Sequence, residues 1–517
     1  MKKDSNESDV NKGLKIIAKS SIIIFVGVFF SKIITYFYRI IIARYFGPEV
    51  YGLFSLAIMI SGWFIIFSSL GFAEGLLRYL PWYRGKKEYN KIKYLIRFST
   101  TLTLITSIIS AVFLFSSAEF ISLELFHNAN LIVFLKVFSL IIPIFLFARI
   151  FLVVLQAFEK ISWYSFILNI LENSIKVLSI ILFIYLGLKS NAVIFSYFLS
   201  VISTFLVSYF VCKYKVPEIF GKFILKKPIK NQIKTEFFSY SWPLMFSGTL
   251  ASIFYWTDTF FIGYFTGVLD VGLYNAAIPI ALLMAVIPEI FIKIFFPIIT
   301  KEFSKKRFIV VKELSQQVGK WIFVLNLPIF LVTLLFPGVI INILFGSEYL
   351  PATNALKILV IGSFFSSLFW IPNQLLSTIG KSKLIFLNLI MASISNIILN
   401  IILIPKYGIN GAAFATTISS ITLSLIYFFE AKHFTSIISF RRKVFRIFAI
   451  SLIPTALIFY FKNFLKTTLA GLILLGTLFF LIYAFLILVT KCLDKNDFMI
   501  LKAIKRKITP PNNSAIQ

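Results

Sequence analysis

Apolar runs of twenty or so residues recur along the whole chain, and nothing constrains its fold more. They cover about 19–44, 51–79, 94–117, 131–157, 162–187 and 191–212, then 237–265, 271–299, 318–345, 355–379, 384–405 and 411–431, and last 445–461 and 468–490. A helix needs about 20 such residues to cross a bilayer, so the sequence predicts about fourteen spans. A soluble core is excluded: 59% of the 517 residues are hydrophobic and mean hydropathy is +0.91, where soluble domains are about 45–50% apolar. The runs lack the period-2 alternation of barrel strands. Backbone groups in lipid must pair within their own segment, which makes the runs helices. The expected fold is an all-α integral membrane protein.

The chain also repeats itself. FGPEVYGLFSLA, Phe46–Ala57, returns as TGVLDVGLYNAA, Thr266–Ala277, 220 positions later. Gly47, Gly52, Leu53 and Ala57 match Gly267, Gly272, Leu273 and Ala277. At an offset of 221, Lys160 matches Lys381, and Gly187 and Ala192 match Gly408 and Ala413. One register across three separated places implies a duplication, and so long a period suggests two repeated bundles rather than a solenoid. The expected division is a segment 1–18, an N-lobe of six spans at 19–212, a basic linker 213–236, a C-lobe of six spans at 237–440, two further spans at 441–490 and a basic tail 491–517.

The net charge of +30 would suggest nucleic acid in a soluble protein, but the basic residues sit between apolar runs. Of 51 Lys and Arg, 37 fall in the terminal segments and alternate loops, five (Arg44, Lys189, Lys406, Lys462, Lys466) in the opposite loops, and nine within spans. That asymmetry predicts both termini in the cytoplasm of a multi-pass cytoplasmic-membrane protein. The linker lysines read first as a topology signal, with contact to anionic headgroups as the alternative. The polar start MKKDSNESDVNKGLK leads into a long apolar run, so no cleaved leader is expected. Cys212 and Cys492 give no disulfide framework or metal site, His127 and His433 are isolated, and neither a metal nor a cofactor is expected.

Ionisable groups deep in lipid are functional candidates. Lys32 lies mid-span, and Arg39, two turns on, shares its face with Thr35 and Tyr36 between them. Arg149 is well inside the fourth run; Lys32 and Arg149 are the deepest bases without an acid four residues away. Glu172 and Lys176 sit at i,i+4 and can pair, as can Glu74 and Arg78 before Pro81, and Glu289 and Lys293 before Pro297. Asp258 stands alone in the seventh run. Lys32, Arg39, Arg149 and Lys176 are the candidate binders of an anionic headgroup. The acids, with Arg78 and Lys293, are candidate gate or charge-pair residues. Bases outnumber acids within the spans and concentrate in the first half, so a cavity walled by that half would be cationic and suit a phosphate or pyrophosphate.

Five stretches then resemble a known family: RIIIARYFGPEVYGLFSLA (Arg39–Ala57), GFAEGLLRYL (Gly71–Leu80), DTFFIGYFTGVLDVGLYNAA (Asp258–Ala277), FGSEYLPATNALKIL (Phe345–Leu359) and IPKYGINGAAFATTIS (Ile404–Ser419). Together and in order they are similar to the multidrug/oligosaccharidyl-lipid/polysaccharide (MOP) exporter superfamily, polysaccharide-export (O-antigen type) flippase branch, over essentially the whole chain. The resemblance implies two six-helix lobes, two trailing helices, and alternating access around a central cavity. The implied cargo is a sugar chain on a polyprenyl phosphate or pyrophosphate, moved to the outer leaflet. The chain is then no enzyme and needs no cofactor. Its partners would be that anionic lipid-linked oligosaccharide, membrane lipids and an unidentified coupling ion, H+ or Na+, with the chain acting as a monomer. Two other readings compete. A cation-coupled multidrug exporter would want unpaired acids, yet Glu74, Glu172 and Glu289 each have a base at i+4. A membrane polymerase or glycosyltransferase would want a sizeable catalytic loop, and the loops are short.

Overall fold

The computed structural model describes residues 2–437, 443–461, 469–490 and 492, with backbone alone for 2–31, 247, 251, 294 and 469. The remainder of the expected tail 491–517 and the loop holding Lys462 and Lys466 fall outside the described residues. Every regular element among the described residues is a helix. In order these are α1 (Lys2–Ser69), α2 (Phe72–Gly85), α3 (Tyr89–Phe120), α4 (Asn130–Ala157), α5 (Ile161–Ser165), α6 (Glu172–Tyr185), α7 (Asn191–Lys215), α8 (Lys227–Phe265) and α9 (Val268–Ala281). They continue as α10 (Leu283–Ser304), α11 (Phe308–Leu335), α12 (Pro337–Phe345), α13 (Thr353–Leu368), α14 (Trp370–Thr378), α15 (Ser382–Thr435), α16 (Lys443–Phe461) and α17 (Leu469–Val489).

Ten helices among the described residues are long and apolar enough to cross a membrane, eleven with the pair Val268–Ala281 and Leu283–Lys293, bent by 42°. Two of the ten, in α1 and α15, are each taken as one although the chain turns within them at a single glycine. α1 breaks at Gly47 (φ 80°, ψ 177°) and α15 at Gly408 (φ 55°, ψ −136°). A straight helix of the 54 residues of α15 would reach about 80 Å, against an apolar thickness of about 30 Å, so such a break is required.

Positions matched in the sequence repeat share backbone geometry. Gly47 and Gly267 both have positive φ, as do Gly187 and Gly408. Lys160 and Lys381 both cap helix N-termini, at φ −82°, ψ 49° and φ −84°, ψ 37°.

The chain gathers into two compact units. The first is 30–275 with 400–411; the second holds the described residues of 1–29, 276–399 and 412–517. The first has a core of Phe72, Leu76, Leu80, Ile92, Leu95, Leu155 and Phe237. The second has one of Phe295, Ile299, Val318, Ile322, Ile371 and Leu375. Burial follows the membrane pattern. α3 exposes Ile109 and Phe113 while burying Ser99, Thr103, Ser107 and Ala111, every fourth residue. α7 buries Ser196, Ser200, Thr204, Ser208 and Cys212 at the same interval. Lipid gives large apolar side chains no reason to hide, and small residues let helices approach closely.

Candidate functional site

The first unit holds a cluster of cations and phenols, and two glycines make its centre reachable. A methyl added at Gly52 would meet the Val268 carbonyl at 2.0 Å, and one at Gly272 would meet the Pro48 carbonyl at 1.8 Å. Only residues without a Cβ allow the two repeat-related turns to meet backbone to backbone. That contact brings the Tyr51 hydroxyl to the Asn275 carbonyl, to which it donates at 3.2 Å. Tyr51 in turn is hydrogen-bonded to Arg39, and the phenols of Tyr36 and Tyr255 join the electrostatic surroundings of that guanidinium.

Lys176 lies on the other side of the same cluster, where it interacts electrostatically with Arg39. It binds Glu172 at 2.5 Å, with the two side chains only 12% and 13% exposed. Its ammonium also lies over the Tyr197 ring, 4.8 Å from the centroid. Tyr197 stacks on Phe138 at 5.1 Å and meets Phe54 edge-on at 5.8 Å. Tyr38 packs against Phe54 and reaches the Ser196 hydroxyl at 3.0 Å. A π-helical turn, Phe166–Leu171, immediately precedes Glu172; such turns re-aim side chains and recur at functional sites. A guanidinium carries five donors in a planar fork, more than one phenol oxygen accepts, so Arg39 suits a multidentate oxyanion.

The structure thus brings Arg39, Lys176 and Glu172 together. Lys32 is exposed and Arg149 partly buried, and neither makes a hydrogen bond or ion pair among the described residues. Asp258, expected to stand alone, accepts from Tyr274 and, at 2.9 Å, from the Asn400 amide. The two outlying pairs differ. Glu289 and Lys293 bridge at 3.0 Å. Glu74 and Arg78 form no bridge among the described residues; Arg78 lies over the Tyr240 ring at 4.1 Å and beside Tyr79 at 5.5 Å. Lys320, at the start of the run 318–345, is fully buried in the second unit.

Sequence reasoning passed over Tyr38, Tyr51, Tyr197 and Tyr255. Their signal was the hydroxyl: among 62 Phe, each Tyr in an apolar run carries a polar group needing a partner.

Comparison with known proteins fits this geometry to a family. A family model described as polysaccharide biosynthesis protein matches residues 17–303, and one described as MatE matches 243–402. The chain belongs to the polysaccharide biosynthesis protein family. It is a multi-pass membrane protein and a flippase-type transporter of the MOP superfamily. Among its relatives is an uncharacterized membrane protein of Methanocaldococcus jannaschii, 26% identical over 88% of this chain and 92% of that protein. A putative O-antigen transporter of Shigella flexneri is 25% identical over 74% of this chain and 90% of its own length. A structure of the lipid II flippase MurJ, in an inward closed conformation, shares the fold with a TM-score of 0.70 at 20% identity, covering 89% of this chain and 98% of that one.

Proposed function

We propose that this chain moves a lipid-linked oligosaccharide, carried on a polyprenyl phosphate or pyrophosphate, from the inner to the outer leaflet. The observation that carries the reading is the Arg39 and Lys176 cluster: two cations in the interior of a membrane-embedded unit, set among phenols. An oxyanion entering a poorly solvated site is prohibitively costly unless matched charge and donors await it. Arg39 supplies a bidentate fork, Tyr51 orients it, and Lys176 supplies a second charge once Glu172 yields it. Lys32 and Arg149 serve along the entry route. The two lobes at 19–212 and 237–440 alternate access, both termini lie in the cytoplasm, and the chain acts as a monomer. Its outward-moving cargo is an anion, so an inside-negative potential assists. A coupled H+ or Na+ is taken at Asp258, a buried carboxylate that accepts from Tyr274 and Asn400. The sugar headgroup meets no reactive centre, and the chain acts as no enzyme.

Purified protein in vesicles carrying a fluorescent polyprenyl-diphosphate sugar tests this. Arg39→Ala should lower flipping by about tenfold or more, matching the loss of one charge-assisted hydrogen bond of about 1.5–3 kcal/mol. Arg39→Lys should rescue part of it, because the fork is lost but the charge remains. Flipping by Arg39→Ala at the wild-type rate would overturn the headgroup role.

A further inference from the structure

A second set of cations lies apart from that cluster in the first unit, where α7 ends and α8 begins. The connection between Lys215 and Lys227 holds one 3-10 turn, Pro217–Ile219, and is otherwise without regular structure. Its Phe223 ring meets Tyr94 edge-on at 5.6 Å, and Tyr94 stacks on Phe98 at 6.2 Å. The three rings form a row. Lys230 lies over Phe223 at 5.4 Å and Lys234 over Phe98 at 5.8 Å. Lys93 joins them beside Gly221, where an added methyl would sit 3.9 Å from its ammonium. The acids nearby are otherwise engaged or distant in contact: Glu88 binds Lys91 at 2.8 Å and Glu236 accepts from Gln232 at 2.8 Å. Glu218 is exposed. No acid pairs with Lys93, Lys230 or Lys234 among the described residues. Ile224, next to Phe223, is 87% exposed.

We propose that this row is a binding site for the phosphate headgroup of an acidic bilayer lipid. α3, which carries Lys93 and Tyr94 in its first turns, and α7, which ends at Lys215, are both long and apolar enough to span, and their ends set the connection at the membrane–water border. Ammonium groups there attract anionic headgroups. The rings give a track for the first carbons of an acyl chain, and Ile224 enters the interfacial layer beside it. An isolated soluble anion would gain from the ammoniums but not from the rings or Ile224, so the arrangement fits an amphiphile. Orienting a membrane protein needs only the number of lysines on a side. It does not require three of them to converge on one aromatic row.

The test uses the full chain in detergent, with a titration of phosphatidylglycerol against phosphatidylcholine and bound lipid counted by native mass spectrometry. Wild type should retain phosphatidylglycerol at least fivefold over phosphatidylcholine. The K93Q/K230Q/K234Q variant should lose that preference, and so should Phe223→Ala, which changes no charge. K222Q/K226Q/K227Q, an equal charge change on the same connection, should keep it. Free glycerol phosphate should not displace the bound lipid. Melting temperatures in phosphatidylcholine alone show that each variant is folded. Equal loss from both triple variants would mean diffuse charge rather than a site and would overturn the proposal. So would retention of the preference by both K93Q/K230Q/K234Q and Phe223→Ala, or displacement by free glycerol phosphate.

Discussion

Two ion pairs with the same spacing occupy different surroundings. Glu172 and Lys176, in the first unit, are 12–13% exposed, with an aromatic face under the ammonium and Arg39 within electrostatic reach. Glu289 and Lys293, in the second, bridge at 3.0 Å with 37% and 48% of their side chains exposed. A third candidate, Glu74 and Arg78, makes no bridge among the described residues, and Arg78 turns to Tyr240 instead. Spacing therefore predicts which side chains can meet. What the meeting is worth, and whether it can bind a substrate, depends on the neighbours that other helices bring.

The largest expected effect breaks this comparison at its buried end. Lys176→Met leaves the Glu172 carboxylate buried without its ammonium, which should cost about 3–5 kcal/mol. Transport should vanish with it. Lys293→Met removes an exposed partner and should cost about 0–1 kcal/mol, with transport retained. The double variant E172Q/K176M should regain most of the stability and none of the transport, because a neutral pair folds but cannot hold an anion. Detergent melting curves and vesicle flipping read both quantities. Equal losses from Lys176→Met and Lys293→Met would dissolve the distinction between the pairs.

A smaller effect separates the units by backbone. Gly52→Ala drives a methyl to 2.0 Å from the Val268 carbonyl and should cost about 1–3 kcal/mol, the usual range for overpacking. Arg39 should lose its orientation with it, since Tyr51 adjoins the displaced residue. Gly338→Ala in the second unit meets nothing nearer than Thr353 Oγ1 at 3.4 Å. It should be neutral or stabilise by up to about 1 kcal/mol. A normal melting temperature for Gly52→Ala would mean the two turns can separate freely.

These residues also show how far the sequence could be read. The helices were legible because lipid demands long apolar runs, and the duplication because Gly47 and Gly267, or Lys160 and Lys381, do the same backbone work twice. The every-fourth-residue pattern of Ser99, Thr103 and Ser107 was present as well, and it marks a packed face. The cluster was half legible. Charge drew attention to Arg39, Lys176 and Glu172, but equally to Lys32 and Arg149, which have no hydrogen bond or ion pair among the described residues. Nothing local separates these two groups, because the difference lies in Tyr51, beyond the α1 break at Gly47, and in Tyr197 and Tyr255 arriving from α7 and α8. The π-helical turn before Glu172 left no mark in FILNIL.

The smallest expected effect sharpens the comparison at its exposed end. Pro297 has no N–H, so the carbonyl of Lys293 loses its intrahelical partner and the helix is weakened there. The bridge from Glu289 to Lys293 spans the turn just before that weak point, which is where a moving mouth would bend. Exchanging the two residues, E289K/K293E, keeps the bridge and reverses its order along α10. The acid-first order is better by a few tenths of a kcal/mol at most, so the melting temperature should barely move. An exposed pair that only staples the turn has no further preference, and the exchanged protein should flip substrate at the wild-type rate. A clear fall in flipping at unchanged melting temperature would give the order of charges a role in opening the mouth. The exposed pair would then stand beside Glu172 and Lys176 as part of the transport machinery.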